Sequence, residues 1–250
     1  MRADFNLTQI VQLPESRSTN DDAFEALSHE RACLIWTLNQ TSGRGSRGRT
    51  WLAPHQAGLA LSIGFQGSLG PSPGAFCYPL FAGLLLHRVI TKLCASDQFA
   101  LKWPNDLLLN GKKIAGILCE SRWNGSTIQI VIGIGVNLKA HPNLDTLPKG
   151  FQTLETLPNP PGPSEIVSAL ANAFPHYLKE FSQLDTTTGL NEAWLQRSIH
   201  PPGAQLNIQA YGQVYKGQFH GLSSDGGLLL KDENGILQEV RQSCEDFQVL

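Results

Sequence analysis

The sequence predicts an α/β protein of the α+β kind, with a mainly antiparallel mixed sheet and helices over residues 1–200 and a small β-barrel over 201–250. Three observations carry this. Short apolar runs in the first part are punctuated by Asn-Gly dipeptides such as Asn110-Gly111, which suit hairpins better than repeated crossovers. One long stretch, Phe76 to Cys94, instead repeats its apolar residues at helical spacing. After Pro201-Pro202-Gly203 the pattern changes to short strands joined by Tyr211-Gly212, Asp225-Gly226 and Asn234-Gly235, as in a small barrel.

In chain order, Gln9 to Leu13 reads as a short strand. Ser18-Thr19-Asn20 then precedes a helical segment, Asp21 to Leu27, as capping residues do. Cys33 to Leu38 and Leu59 to Phe65 read as buried strands, separated by a polar loop from Gln40 to Arg49 rich in Gly and Arg. The Phe76–Cys94 helix follows, then strands around Leu101, 107–109, 114–118 and 128–134, with Asn124-Gly125 as a second turn. Residues 139–163 are rich in Pro, Asn, Thr and Gly and read as loop, ahead of helices near 164–181 and 190–196. Strands at 206–210, 214–219, 228–230 and 236–240 complete the barrel.

Composition excludes several classes of function. With 41% hydrophobic and 16% charged residues the chain reads as an ordinary globule, and no apolar run suggests a bilayer span. The N-terminal segment lacks a signal-peptide pattern, which points to the cytoplasm. A formal charge of −2 gives no general attraction to nucleic acid or acidic membrane, so any anion site must be local. The cysteine count of 5 is odd, and Cys33, Cys77, Cys94 and Cys119 sit in or beside apolar stretches, as free thiols do. No Cys or His spacing supports a metal cage.

Two motifs mislead. Gly43-Arg44-Gly45-Ser46-Arg47-Gly48 spells G-x-G-x-x-G after a strand, but Trp51 and Pro54 follow where a dinucleotide fold needs a helix. What remains is Arg44, Arg47 and Arg49 on a glycine backbone able to close on a phosphate or carboxylate. Gly70-Pro71-Ser72-Pro73-Gly74 spells a nucleophile elbow, yet Pro73 has no backbone N–H to offer an oxyanion. Lys102-Trp103-Pro104-Asn105-Asp106 places a cation, an amide and a carboxylate beside a proline bend, where they can face a cleft.

Ser18-Thr19-Asn20, Gln40 with GRGSRGRTW, KWPND, Gly111-Lys112-Lys113-Ile114-Ala115-Gly116-Ile117-Leu118 and Gly133-Ile134-Gly135-Val136-Asn137 together resemble, in order, the motifs of biotin protein ligases. The resemblance implies a catalytic domain similar to class II aminoacyl-tRNA synthetase cores and a C-terminal barrel like the Src-homology-3 fold. Some members carry a DNA-binding domain ahead of the core. Here the Ser-Thr-Asn motif arrives by residue 18, so a monofunctional enzyme with no DNA partner is expected.

The implied chemistry is activation of biotin by ATP and Mg²⁺ to biotinyl-5′-AMP, then transfer to a lysine of the biotin carboxyl carrier domain of a carboxylase such as acetyl-CoA carboxylase. No tightly bound prosthetic group is implied, and oligomeric state is left open, a homodimer included. The catalytic cations expected are Lys102, bridging the biotin carboxyl and the α-phosphate, with Arg44 and Arg47. Ser18, Thr19, Asn20 and Gln40 should line the head-group pocket, because an unpaired ureido group there costs about 1–3 kcal/mol. Gly45, Ser46, Arg49, Trp51, Asn105, Gly116 and Asn137 complete the expected contacts with biotin or the adenylate. Where many members carry another arginine this chain has Ser46, which is expected to weaken retention of the intermediate. Two other readings stand beside this one: a lipoate or octanoate ligase, whose R-x-S/T-G-G-G motif is absent, and a non-catalytic biotin sensor.

Overall fold

The structure is a computed structural model that describes residues 7, 9–52, 54–67, 77–124, 127–141, 150–182, 188–210, 212–241 and 246–249. Its first sheet contains β1 (Gln9–Gln12), β2 (Ala32–Thr37), β3 (Gly58–Gln66), β4 (Phe99–Lys102), β5 (Asp106–Leu109), β6 (Lys112–Asn124) and β7 (Thr127–Asn137). Their spatial order is β1-β2-β3-β7-β6-β5-β4. Only β1 and β2 run parallel; every other neighbouring pair is antiparallel. The mixed, mainly antiparallel sheet expected from the sequence is therefore present.

β2 is buried along its whole length and β3 at all but its last residue, because this sheet is covered on both faces. Alternation along β2 shows the two covers. Ala32, Leu34 and Trp36 enter the main core, whereas Cys33 and Ile35 pack with Ala23, Phe24 and Leu27 of α1 (Thr19–Ala26) and the turn after it. On the main-core side lie α2 (Cys77–Cys94), α3 (Pro163–Ser182) and α4 (Thr188–Leu195), with α2 packed on both other helices and on β4 to β7. Phe81 of α2 meets Phe174 and Phe181 of α3 edge-on, with ring centroids 6.1 and 4.9 Å apart. By length and hydropathy alone α2 is able to cross a membrane, but its apolar residues are spent on this core.

The second sheet is antiparallel: β8 (Gln205–Ala210), β9 (Gln213–Leu222), β10 (Leu228–Lys231), β11 (Leu237–Val240) and β12 (Asp246–Val249), ordered β11-β10-β9-β8-β12. Leu206, Ile208, Phe219 and Leu230 join the same buried cluster as α2 and the first sheet. Trp103, 2% exposed, donates its indole N–H to the Gly226 carbonyl at 3.0 Å, and Asn191 of α4 donates to the Ser223 carbonyl at 2.7 Å. The edge of β4 is closed by the segment before β8: Leu101 N–H bonds the Arg197 carbonyl and Ile199 N–H bonds the Leu101 carbonyl.

The differences from the sequence reading are local. α1 begins at Thr19, so Thr19 and Asn20 belong to its first turn, and Ser18 occupies the N-cap without a side-chain capping bond. β6 and β7 extend well beyond 114–118 and 128–134. β12 is an additional strand: its run of four residues is too short to stand out, and it is placed by pairing with β8. Asn110 and Gly111 both take positive φ, as a two-residue hairpin turn needs. Gly125, Tyr211, the Gly70–Gly74 motif and Phe76 lie outside the described residues.

His200 sits at the junction of the two sheets, 2% exposed and edge-on to Phe219. Burial, aided by the Lys102 charge, pushes its pKa down to about 4 from 6.5. Between those values the unfolded chain binds the extra proton, so the stability of the fold is complete above pH 6.5 and falls as pH drops through this window, by about 3 kcal/mol at most. Urea denaturation from pH 7.5 to 4.5 should show that decline, and His200→Phe should remove part of it. Parallel pH profiles for the two proteins would contradict this assignment.

Candidate functional site

The face of the first sheet that carries α1 has a bare patch. Gly116 on β6 pairs with Gly135 on β7, and Gly133 lies two residues along the same strand and therefore on the same face. A Cβ on Gly133 would overlap the side-chain amide of Asn20, and one on Gly135 would overlap the Trp51 indole. Having no side chains of its own, this patch lets Asn20 and Trp51 sit against the backbone, and a cavity of about 220 Å³ lies between the sheet, the start of α1 and the 40–52 loop.

One end of the cavity is polar and supplied by Ser18, Thr19, Asn20 and Gln40. Ser18, Thr19 and Asn20 are at most 6% exposed, so their polar groups need internal partners. Thr19 donates its backbone N–H to Gln40 Oε1 at 2.9 Å. Behind them Ser62 of β3, fully buried, lies 2.8 Å from Thr19 Oγ1 and donates to Asn20 Oδ1 at 2.6 Å. Asn20 Nδ2 donates in turn to Glu120 Oε2 at 2.6 Å. The Ser-Thr-Asn triplet is thus both the first turn of a helix and a wall of the cavity.

The loop from Gln40 to Arg49 covers one side. It contains a single 3-10 turn at Ser46–Gly48, and Arg44 and Thr50 form an isolated bridge across it. Arg44, Gly45, Ser46, Arg49 and Trp51 all line the cavity. Arg44 is not a free cation: its guanidinium grips Asp21 with two bonds, at 2.6 and 3.0 Å, and Glu120 at 3.1 Å. The Arg44 charge in turn holds the Asp21 carboxyl below the usual carboxylate range. Arg49 donates to the carbonyl and hydroxyl of Ser46 at 3.2 and 3.0 Å. The backbone of Arg47 lies in the 3-10 turn; its side chain is outside the described residues.

At the other end stands Lys113. Its ammonium lies 2.5 Å from Asp106 Oδ1 and 5.5 Å from the Trp51 ring centroid, over the ring face. The indole Nε1 of Trp51 is buried against Gly135 with no hydrogen-bond partner among the described residues. Asn137 donates to the carbonyls of Lys113 and Gln152 at 3.4 and 3.3 Å, which ties the end of β7 to the strand bearing the lysine. Asn105 exchanges bonds with Ile117: its Nδ2 donates to the Ile117 carbonyl at 2.7 Å, and its own carbonyl accepts from Ile117 N–H at 2.9 Å. Phe151, bridged to Lys113, closes this end.

Lys102, the lysine expected from the sequence, does not line the cavity. It pairs with Asp106 from the edge strand β4, on the same face of the sheet but one strand further out. Lys113 reaches the site through an irregularity. The β5–β6 register shifts between Leu107 and Leu108, leaving Ile114 without a cross-strand partner. Strict alternation would put Lys113 and Gly116 on opposite faces; the extra residue puts them on the same one. Lys113, Asp106, Thr50, Leu52 and Phe151 were all missed as site residues. The available signal was Lys113 within the motif already singled out, three residues before Gly116.

A family model described as the biotin/lipoate A/B protein ligase family matches residues 11–137. The chain is 34% identical over 247 residues to a biotin--[acetyl-CoA-carboxylase] ligase of Paracoccus denitrificans, covering 94% of this chain and 98% of the relative. It is 40% identical over 133 residues to the bifunctional ligase/repressor BirA of Escherichia coli, spanning 52% of this chain and 40% of that protein. Among solved structures it is similar in fold to the biotin protein ligase of Aquifex aeolicus in complex with biotin and ATP. There the TM-score is 0.78 at 23% identity, with 98% of this chain and 100% of that chain covered.

If the bare patch seats Trp51, Gly135→Ala must displace the indole or strain β7, at about 1–3 kcal/mol for overpacking. The variant should melt earlier than the native chain, and its tryptophan emission should shift to the red as the ring leaves the floor. Unchanged melting and emission would show that the cavity accommodates a side chain there.

Proposed function

The chain belongs to the biotin/lipoate A/B protein ligase family, and we propose that it is a biotin protein ligase that forms biotinyl-5′-AMP from biotin and ATP and passes the biotinyl group to a carrier-domain lysine. The observation that carries this reading is the polarity of one continuous cavity: hydrogen-bonding side chains at Thr19, Asn20 and Gln40 at one end, the Lys113 ammonium at the other, and an apolar, glycine-floored middle between them. Biotin has that same order of parts, a ureido ring, an apolar valeryl chain and a carboxylate. Buried polar groups left unpaired by an ill-fitting ligand are what give such a site its selectivity.

In the first step a biotin carboxylate oxygen attacks the α-phosphorus of ATP, and the bond to the β-phosphate oxygen breaks, releasing pyrophosphate. Lys113 takes over the contact expected of Lys102: its ammonium offsets the charge shared by the carboxylate and α-phosphate, while Asp106 and the Trp51 ring hold it in place. In the second step the acceptor lysine amine attacks the acyl carbon and AMP leaves. Lys102, on the same face one strand further out, would offset charge on the more distant phosphates, and Mg²⁺, brought by ATP, would supply further charge to the departing pyrophosphate. Arg44 serves as an anchor of the covering loop; Arg47 and Arg49 remain the loop cations for the adenylate.

Residues 1–200 act as the catalytic unit, comparable to class II aminoacyl-tRNA synthetase cores, and 201–250 as a Src-homology-3-like barrel that completes its core. The acceptor is the biotin carboxyl carrier domain of a carboxylase, and the cytoplasm is the compartment where both meet. A lipoate ligase would have no use for the polar end, since a dithiolane ring offers no N–H or carbonyl to satisfy it.

Purified protein should catalyse Mg²⁺-dependent ATP–pyrophosphate exchange with biotin and not with lipoate. Exchange with lipoate alone, or biotin binding with no exchange, would overturn the reading in favour of the lipoate or sensor alternative. Ser46 holds Arg49 instead of supplying a charge of its own. Ser46→Arg should therefore retain biotinyl-AMP about tenfold longer, one charge-assisted contact being worth roughly that much. Equal dissociation rates in a chase experiment would reject the assignment.

A further inference from the structure

Glu120, on β6 beyond the cavity floor, has no place in the roles set out above, yet one of its carboxylate oxygens holds two of them. Oε2 accepts from Asn20 Nδ2 at 2.6 Å and from Arg44 Nη2 at 3.1 Å. The first bond, with a longer one from the same nitrogen to the Leu118 carbonyl at 3.4 Å, fixes which way the Asn20 amide points. With its NH₂ group turned to the carboxylate, its Oδ1 faces Ser62, 2.6 Å away. That oxygen only accepts, so Ser62 spends its single proton on Asn20 and meets Thr19 Oγ1, at 2.8 Å, as an acceptor. Thr19 thus turns its own hydroxyl proton to Ser62 and holds Gln40 Oε1 by its backbone N–H at 2.9 Å, which leaves the Gln40 NH₂ group as the free end of that amide. The bonds from Glu120 through Asn20 and Ser62 to the Thr19 hydroxyl thus take their direction from the carboxylate, and the backbone of the same Thr19 carries Gln40.

The second bond reaches the loop. Arg44 lies across Asp21 and Glu120 at once, and Arg122 adds a further contact to Asp21 at 3.1 Å. The side chains that would read a ligand's polar end and the segment that covers it therefore share one oxygen atom.

We propose that Glu120 is a positioning residue that couples the polar pocket to the arginine-bearing loop, so that removing its carboxylate disorders both together. This rests on the reading of the cavity as the biotin site and adds to it a means by which pocket and cover act as one unit. No contact between Glu120 and the ligand is required.

The test uses Glu120→Ala and Glu120→Gln in the full chain, with biotin titrated by calorimetry and trypsin cleavage after Arg44 followed without ligand. Glu120→Ala should weaken biotin binding about tenfold, the value of one charge-assisted hydrogen bond, and should speed cleavage after Arg44 several-fold. Glu120→Gln keeps an oxygen in the same place and should restore both to within about threefold of wild type, since the role is geometric. Wild-type affinity and cleavage in Glu120→Ala would overturn the proposal, as would a loss of affinity with cleavage unchanged. If Glu120→Ala fails to fold, Glu120→Gln decides: a tenfold loss of affinity in that variant contradicts a geometric role, and near-native affinity supports it. If the wild-type chain gives no heat with biotin, the biotin reading falls separately. Cleavage after Arg44 then judges the clamp alone, faster cleavage in Glu120→Ala supporting it and unchanged cleavage overturning it.

Discussion

A cavity in the middle of a sheet face exists here because two neighbouring strands give up their side chains together. Gly116, Gly133 and Gly135 share one face of β6 and β7, and the groups that occupy the vacated volume, Trp51 and the Asn20 amide, approach the backbone more closely than any Cβ would permit. From that absence the rest follows. α1 sits low enough on the sheet for Thr19 and Asn20 to bond Ser62, and the 40–52 loop closes over the floor through Trp51. Beneath the floor the opposite face of the sheet is apolar, with Ile117, Ile132, Ile134 and Val136 in the core that α2 and α3 share. A rigid sheet thus carries a site whose cover is a glycine-rich loop, which is costly to order and therefore responsive to what lies beneath it.

The charge pattern around the floor is segregated. Arg44 is spent on Asp21 and Glu120 at the outer rim, whereas Lys113 is held by a single carboxylate and an aromatic face at the inner end. A cation already paired by two carboxylates has little left to offer a phosphate; one poised beside a single carboxylate keeps donors free. This is the physical ground for giving the loop arginine an anchoring role and the strand lysine a catalytic one.

Much of this was legible in the chain. Apolar runs and Asn-Gly dipeptides locate the strands and hairpins, and the lack of a helical pattern after Gly48 in the sequence removes the dinucleotide reading. Ser18, Thr19, Asn20, Gln40, Arg44, Trp51, Asn105, Gly116 and Asn137, named from motifs, do line one cavity. Lys113 was not legible because periodicity points the wrong way: alternation from Gly116 selects Lys112, and only the unpartnered Ile114 re-aims its neighbour. A register shift depends on what the partner strand can match, which no local pattern records. β12 escaped for a related reason, being a four-residue segment whose strand identity comes from pairing with β8.

On the proposed mechanism Lys113, rather than Lys102, carries the chemistry. Biotin-dependent ATP–pyrophosphate exchange measured side by side for Lys113→Ala and Lys102→Ala tests it most directly. Lys113→Ala should lose roughly 10²–10³-fold, as when a preorganised transition-state donor is removed, against a change within about tenfold for Lys102→Ala. The opposite order, with Lys113→Ala near wild type and Lys102→Ala silent, would contradict it.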